Sequence, residues 1–310
     1  MDNICHTLVG AALAQTGLKR RTGLATATLM IGANFPDIDG ISIPFGRATE
    51  FRRGWTHGVL ALVVLPFVLT AIMLAWHRYR RSIGQSVHRS IGPVVPRELL
   101  LLSAVSILTH PTLDWMNSYG LRWLMPFNGR WFYGDSLFII DPWLWLVLGL
   151  GVWLSRWYER RGRPHAWRPA RSALALAGAY IVCMLGLHAA AERVASRELA
   201  QGGEAIRRLI VTPMPADPVH WSVYADDGAR YSRYVVSLAP GRMRRLSDWQ
   251  PPIEKHADDP AAVEAGRTEQ GRRFLNWARL PYYHVVKDVT GTNVEIIDAR
   301  YGASVNVKLD

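Results

Sequence analysis

Several histidine and aspartate side chains lie within or beside long apolar stretches of this sequence. The candidates are His6, Asp37, Asp39, His57, His110, Asp114, Asp135 and Asp141. An ionisable group at the centre of a membrane helix costs about 2.5–3.5 kcal/mol on insertion scales, so each one requires a partner or a function. Imidazole and carboxylate groups together are typical ligands of zinc, manganese or iron. The sequence therefore predicts that these eight residues contribute to a metal site.

Two motifs have a spacing that suits ligation. His110 and Asp114 are four residues apart, so on a helix they project from one face and can bind the same ion. Asp37 and Asp39 lie between a proline and a glycine, as in a loop that presents carboxylates at a helix end. Two ions about 3.5–4 Å apart would activate water and stabilise the leaving oxygen in phosphoester hydrolysis. We expect Asp37 and Asp39 to be catalytic, with Asp37 as general base or bridging ligand, and a divalent cofactor: zinc first, manganese as the alternative.

About six apolar segments must position these side chains. Residues 58–76 contain nineteen positions without a charge, and 172–191 form a second clear span. Such lengths cross about 30 Å of hydrocarbon. Four weaker segments cover 4–18, 22–36, 99–116 and 136–155. The first two of these would be about 22 Å long as helices, which suits short spans or a re-entrant hairpin.

Basic residues alternate between the loops that join these segments. Three loops (19–21, 77–98 and 156–171) hold 14 Lys and Arg residues, whereas 37–57 and 117–135 hold five. The positive-inside rule places the three basic loops in the cytoplasm. Six crossings then put both chain ends outside, in a multi-pass protein of a bacterial inner membrane. The same topology brings all the candidate His and Asp residues to the outer face.

Charge and composition exclude other classes of protein. The net charge is +11, and residues 1–191 hold 19 basic and 9 acidic side chains, against 17 and 16 in 192–310. Since the excess accompanies the apolar segments, we expect the bilayer as partner and no nucleic acid. The 49% hydrophobic content excludes disorder, and two cysteines exclude a disulfide scaffold.

The remainder of the chain, 192–310, has the pattern of a small soluble α+β domain, periplasmic or extracellular. Alternating strands are predicted at 219–225, 231–238, 293–298 and 304–309, and a helix at 260–278. The fold class is therefore an α-helical integral membrane domain over 1–191, carrying the metal site, followed by this domain.

Some candidates have a second interpretation. Asp141 precedes a proline and can cap the helix that begins there. Asp135 can be an ordinary loop residue, and His188, near the outer end of the last segment, can bond between helices. Arg52 and Arg53 form either an interfacial charge pair or a site for an anionic phosphate of the substrate.

With these residues identified, the chain resembles the YdjM-like family of inner-membrane proteins, for which metal-dependent hydrolase activity is inferred. The matching pieces are Asp2 to Thr7, Asn34 to Asp39, Arg53 to His57, and His110 to Asp114. They cover about the first 115 residues, in order. The resemblance implies a membrane-embedded metal site and hydrolysis.

A more distant likeness concerns the zinc-dependent phospholipase C and single-strand nuclease group. The order His, Asp, His, then His-x3-Asp is similar, and in that likeness His6, Asp39, His57, His110 and Asp114 would be metal ligands. The later His and His-x3-Glu ligands of that group have no match here. Asp135 and Asp141 would replace them, or the site holds fewer metals.

The sequence thus favours a metal-dependent hydrolase of an ester or phosphoester bond, with a lipid headgroup as a candidate substrate at the outer face. One alternative is a non-enzymatic membrane protein with a structural metal or polar cluster and a partner-binding tail. A transporter is a second alternative, but the polar groups gather at one face instead of lining a path across the bilayer.

Overall fold

The chain forms two compact units in a computed structural model that describes residues 1–45, 51–83, 92–239, 241–245, 251–288 and 291–309. The units are Met1–Gly186 and Leu187–Asp310. The first is helical, and the second is built on antiparallel strands. This order of a helical region and then a small domain with strands is the one that the sequence predicts.

Within the described residues, six α-helices follow one another from the N-terminus: α1 (Asn3–Gln15), α2 (Ala25–Gly32), α3 (Val59–Ser82), α4 (Pro96–Trp115), α5 (Pro142–Arg160) and α6 (Arg168–Gln201). Turns of 3₁₀ helix cover Leu18–Arg20 and Phe35–Phe45. The carboxylate of Asp2 begins α1 by accepting hydrogen bonds from the backbone amides of Ile4 and Cys5. Helices α4 and α5 begin at proline, whose missing N–H is not needed in the first turn.

The prediction of about six membrane spans is wrong for the described residues, because only α3 and α6 are long and apolar enough to cross a membrane. Helix α1 has 13 residues and α2 has 8. They are therefore about 20 Å and 12 Å long, too short for a bilayer core. Helices α4 and α5 are longer, but charged residues near their ends dilute the apolar stretch.

Helices α3 and α4 form an antiparallel hairpin. Thr70 donates a hydrogen bond to Ser103 in the middle of the pair, with Oγ to Oγ at 3.2 Å. Leu69, Leu99 and Ile107 are fully buried in the shared core. The hairpin brings the start of α3 and the end of α4 to the same end of the unit.

A glycine lets α1 approach α2 closely. A β-carbon added at Gly10 would lie 2.5 Å from the carbonyl oxygen of Leu29, so only glycine fits there. Helix α2 also packs against α4, where Gly32 lies next to the Ser106 side chain. These contacts place the 3₁₀ segment after α2 beside the end of α4.

The second unit contains two antiparallel sheets. The first comprises β1 (Arg208–Met214), β2 (Asp217–Asp226), β3 (Arg230–Ser237) and β4 (Arg242–Arg245) in that order, with β5 (Ile253–Glu254) also paired with β3. The second is a meander of β6 (Pro281–Asp288), β7 (Gly291–Asp298) and β8 (Ser304–Leu309). All four predicted strands are confirmed by β2, β3, β7 and β8, although the strand predicted at 231–238 ends one residue earlier, at Ser237.

The helix predicted at 260–278 is instead two helices, α7 (Pro260–Arg267) and α8 (Glu269–Trp277). Thr268 separates them because its backbone is extended. Its hydroxyl accepts a hydrogen bond from the Gly271 amide at 3.1 Å, which caps α8.

Candidate metal centre

Four side chains from three segments meet at one end of the helical unit. Asp37 lies in the 3₁₀ segment after α2, and His57 immediately precedes α3. His110 and Asp114 lie one turn apart near the end of α4. One ligand atom of each lies within 4.8 Å of the other three, so the group can hold a metal ion.

The distances between these atoms fit tetrahedral coordination. The Nε2 atom of His57 lies 3.6 Å from Asp114 Oδ2 and 3.9 Å from Asp37 Oδ1. The Nε2 atom of His110 lies 3.7 Å from Asp114 Oδ2 and 3.6 Å from Asp37 Oδ1. A tetrahedral zinc site with ligand bonds of about 2.0–2.2 Å has ligand atoms about 3.3–3.6 Å apart. These four of the six distances therefore lie at, or a few tenths of an ångström above, those of a tetrahedral zinc site, and the other two are within 4.8 Å.

The same four atoms are buried, and none of them makes a hydrogen bond. The side chains of His57, His110 and Asp114 are at most 1% exposed, whereas that of Asp37 is 14% exposed. Buried polar atoms without hydrogen bonds are costly, so their convergence on one point is informative, although Arg53 and Arg52 form ion pairs with Asp114 Oδ2 and Asp37 Oδ1 at 3.2 Å and 3.5 Å. A bound cation would satisfy all four.

Both imidazoles are held with Nε2 facing this point. His110 Nδ1 lies 2.7 Å from the carbonyl oxygen of Ala33, which can only accept, so Nδ1 carries the proton. Thr56 donates its hydroxyl hydrogen to Asp39 Oδ2, so it accepts from Nδ1 of His57 at 2.9 Å. In each neutral ring Nε2 therefore keeps a lone pair for a metal. In known metal sites, hydrogen bonds from the other ring nitrogen fix the tautomer of a ligating histidine in the same way.

Asp39 lies behind His57 instead of among the four ligand atoms. Its Oδ2 atom accepts from the backbone amide of Arg53 at 2.8 Å and lies 3.4 Å from Nδ1 of His57. Its Oδ1 atom is buried without a hydrogen bond. The Asp39 carboxylate therefore helps to fix the orientation of the His57 ring.

Arg53 and His6 contact Asp114 from two sides. Arg53 is buried, with Nε 3.2 Å from Asp114 Oδ2, and it donates to Asn117 Oδ1 at 3.0 Å. His6 Nε2 lies 3.2 Å from Asp114 Oδ1, and its ring stacks on His110 with centroids 3.9 Å apart. The amine of Met1 also pairs with Asp114 Oδ1.

Arg52 lies at the more exposed side of the cluster. Its side chain is 35% exposed, with Nη2 3.5 Å from Asp37 Oδ1 and Nε 3.7 Å from Asp39 Oδ1. Unlike the buried Arg53, Arg52 can contact an anion that approaches the exposed side of the cluster.

The charges of the cluster shift the pKa values of Asp37 and His57 in opposite directions. Burial acts to raise the pKa of Asp37, but the imidazoles of His110 and His57 outweigh it and hold this pKa below its usual range. Burial acts to lower the pKa of His57, but the carboxylates of Asp114 and Asp39 outweigh it and raise this pKa.

The other predicted residues lie outside the group of four. Asp141 caps α5 by accepting from the amides of Trp143 and Leu144, and Tyr180 donates to its other oxygen at 2.9 Å. Asp135 is a buried loop residue with a positive φ of 46°. His188 Nε2 lies 3.2 Å from the Val211 carbonyl oxygen in the second unit.

Two contributors were not singled out by sequence reasoning. Thr56 fixes the tautomer of His57, and Asn117 holds Arg53 against Asp114. Each has a sequence signal: Thr56 lies inside the motif that ends at His57, and Asn117 follows Asp114 by three residues.

Membrane-length helices beside a buried group of two histidines and two carboxylates define a membrane protein that can hold a metal ion. The chain belongs to the YdjM inner membrane protein family, whose match covers residues 1–193. It is also similar to the uncharacterized protein YfhP of Bacillus subtilis strain 168, with 21% identity over 170 residues. That alignment covers 50% of this chain and 47% of the relative, so the chain spans about half the length of the curated relative it matches. No solved structure matches the chain.

Proposed function

We propose that this protein is a metal-dependent hydrolase of an ester or phosphoester bond, with a membrane lipid headgroup as a candidate substrate. The observation that carries the proposal is the convergence of four buried ligand atoms that make no hydrogen bonds. Zinc is the first candidate because two imidazoles and two carboxylates suit its tetrahedral geometry. Manganese is the alternative for a donor set rich in oxygen.

The residues around the cluster have roles that suit hydrolysis. A bound divalent ion supplies Lewis-acid chemistry, since it lowers the pKa of an attached water toward about 7 and polarises the ester. Asp37 is the most exposed of the four, so it would leave the ion a position open to water and act as general base, with His57, His110 and Asp114 as the protein ligands. Arg52 holds the anionic oxygen of a phosphoester, while Asp39 and Arg53 orient His57 and Asp114.

The hairpin of α3 and α4 supports a site near one membrane face. His57 precedes α3 and Asp114 ends α4, so α4 must return through the depth that α3 crosses. We propose a multi-pass chain in which this end of the hairpin, together with the C-terminal unit, lies on the outer side. The positive-inside rule supports this orientation, because basic residues gather at the other end of α3.

A second candidate function is a non-enzymatic membrane protein with a structural metal and a partner-binding C-terminal unit. The observation that favours it is the number of ligands. Four protein ligands complete a tetrahedron, and closed coordination is typical of structural zinc sites, whereas catalytic sites keep a position open for water.

Metal analysis and turnover together separate the two functions. Purified protein, stripped with a chelator and reloaded with zinc or manganese, is expected to bind metal stoichiometrically and to cleave phosphodiester or carboxylic-ester substrates. His110→Ala should lose both properties, while His220→Ala, a histidine of the second unit, should keep both. Asp37→Asn should reduce turnover about 10²–10⁴-fold, as expected for loss of a general base. Stoichiometric metal without turnover on a broad panel would establish the structural alternative instead.

A further inference from the structure

A cleft of about 460 Å³ opens beside Asp37. Its lining includes the apolar Met30, Ile31, Phe35 and Ile38 and the polar Asn3, Asn34 and Asp37. Clefts of about 300–1,000 Å³ with apolar walls and a few polar groups are typical of small-molecule sites. The cleft therefore reaches the one ligand of the metal cluster that is not fully buried.

The exposed side chains in and beside this lining, which we call the rim, are apolar apart from Asn3. Ile31 is 44% exposed and Ile38 is 52% exposed, and Ile41 in the same 3₁₀ segment is 74% exposed. Ile4, next to the lining residue Asn3, is 55% exposed. A large apolar patch in water is unfavourable and marks a contact with a partner or a membrane. In a chain of an inner membrane family, hydrocarbon is the medium that such a rim fits.

Among the polar lining residues, Asn34 is held by its own hydrogen bonds. The side-chain amide of Asn34 donates to Thr7 and to the Met30 carbonyl, both at 3.0 Å, while its Oδ1 atom is buried without a hydrogen bond. Arg52, which is not a lining residue, lies 3.5 Å from Asp37. The lining is thus mainly apolar, and it includes the Asp37 carboxylate of the metal cluster, with a cation close to that carboxylate.

We infer that the cleft opens into the hydrocarbon of the bilayer and binds the alkyl chain of an amphiphilic ester, whose head reaches the metal cluster. This inference rests on the proposed hydrolase function and specifies its substrate class. The alkyl chain contacts Ile31, Phe35 and Ile38, and the charged ester group pairs with Arg52 beside the metal cluster. Substrate therefore enters sideways from the membrane, not from the aqueous phase.

Spin labelling tests the opening without any need for turnover. In a Cys183→Ser background, where the remaining Cys5 is buried, a label at Ile38→Cys is compared in lipid nanodiscs with two references. Phe67→Cys lies on α3, and Val219→Cys lies in the second unit. The Ile38 label should collide with oxygen more than with a soluble nickel chelate, as the Phe67 label does. Accessibility like that of the Val219 label would overturn the inference.

Chain-length dependence tests the occupant. Methyl and octyl 4-nitrophenyl phosphodiesters are supplied below micelle-forming concentrations, and kcat/KM should rise roughly fourfold per methylene buried. Ile38→Asn should reduce the octyl-to-methyl ratio, while Ile140→Asn, an exposed isoleucine outside the cleft lining, should keep it. Turnover of the methyl ester with no gain for octyl would overturn the inference and leave the hydrolase function standing. Turnover of neither, with metal bound, would overturn the hydrolase function and this inference with it.

Discussion

The Nδ1 atom of His110 donates a hydrogen bond to the carbonyl oxygen of Ala33, 2.7 Å away. Ala33 follows the end of α2, four residues before Asp37, so this bond ties the segment that carries Asp37 to α4. The acceptor is a backbone atom, and a change of side chain at position 33 leaves it in place. His57 is oriented by the side chains of Thr56 and Asp39. Its orientation can therefore be disturbed by substitutions at those two positions.

The first prediction concerns the support of His57. Asp39→Asn should weaken metal binding about 10–100-fold while the helices stay folded, because outer partners of ligating histidines have effects of this size. Competition titration with a chromophoric chelator measures the affinity. Asp135→Asn is the matched control, since asparagine tolerates the positive φ at that position. Loss of affinity in the control but not in Asp39→Asn would place the site elsewhere in the chain.

The second prediction concerns pH. The pKa of His57 is raised, so without metal this imidazole keeps its proton to a pH above its ordinary value, and a metal must displace that proton. Zinc affinity should therefore rise with pH, by about tenfold per unit below the His57 pKa, and level off above it. The pKa of Asp37 is lowered, so Asp37 stays ionised throughout and adds no slope. Titrations in a series of buffers, with His220→Ala as control, measure the profile; a flat profile would contradict the role of His57.

The third prediction concerns topology. A reporter fused after Asp310 should be active only if it requires export, because the positive-inside rule predicts that the basic loop 156–171 is cytoplasmic and that the C-terminal unit follows a crossing to the outside. An accessibility label at Asn128, which follows α4, tests whether α4 crosses the membrane. Because α4 returns beside α3, Asn128 should be accessible from outside, and a cytoplasmic Asn128 would contradict that return. Cytoplasmic-reporter activity after Asp310 would reverse the orientation and move the site to the inner face.

The fourth prediction concerns the contact of α1 with α2. Gly10→Ala should lower the free energy of unfolding by about 1–3 kcal/mol, because the added carbon meets the Leu29 backbone and the helices must separate. Gly149→Ala in α5 meets nothing within 4 Å, and it should leave stability unchanged or raise it by about 0.5–1 kcal/mol. Denaturant titration in detergent compares the two variants. Equal effects at both positions would show that the close approach at Gly10 is not required.

Part of the metal site could be predicted from the sequence, because the spacing of residues on a helix determines which side chains share a face. The four-residue interval of His110 and Asp114 predicts a shared face, and their ligand atoms lie 3.7 Å apart. The aspartates at 37 and 39 were harder to separate, because a D-x-D motif in a loop does not show which carboxylate turns toward a histidine. Only the fold shows that Asp37 faces the cluster and Asp39 stands behind His57.

The strands of the C-terminal unit were predictable for a similar reason. Alternating apolar positions in β2 and β7 match strands with one buried face. The membrane spans were less predictable, since apolar content does not reveal where a helix ends. The apolar segments at 4–18 and 22–36 contain helices that stop at Gln15 and begin at Ala25, and these are too short to span.

The bond between Ala33 and His110 joins residues 77 apart in the chain. At roughly 5–20 residues per second, about 4–15 s of synthesis separate the emergence of the two partners from the ribosome. During that interval the nascent helices α1 to α3 hold Asp37, Asp39 and His57 without the α4 residues that complete the cluster. Insertion of α4 completes the cluster. A metal bound at that stage would link α4 to the segments before it and stabilise the helical unit before the C-terminal unit has been made.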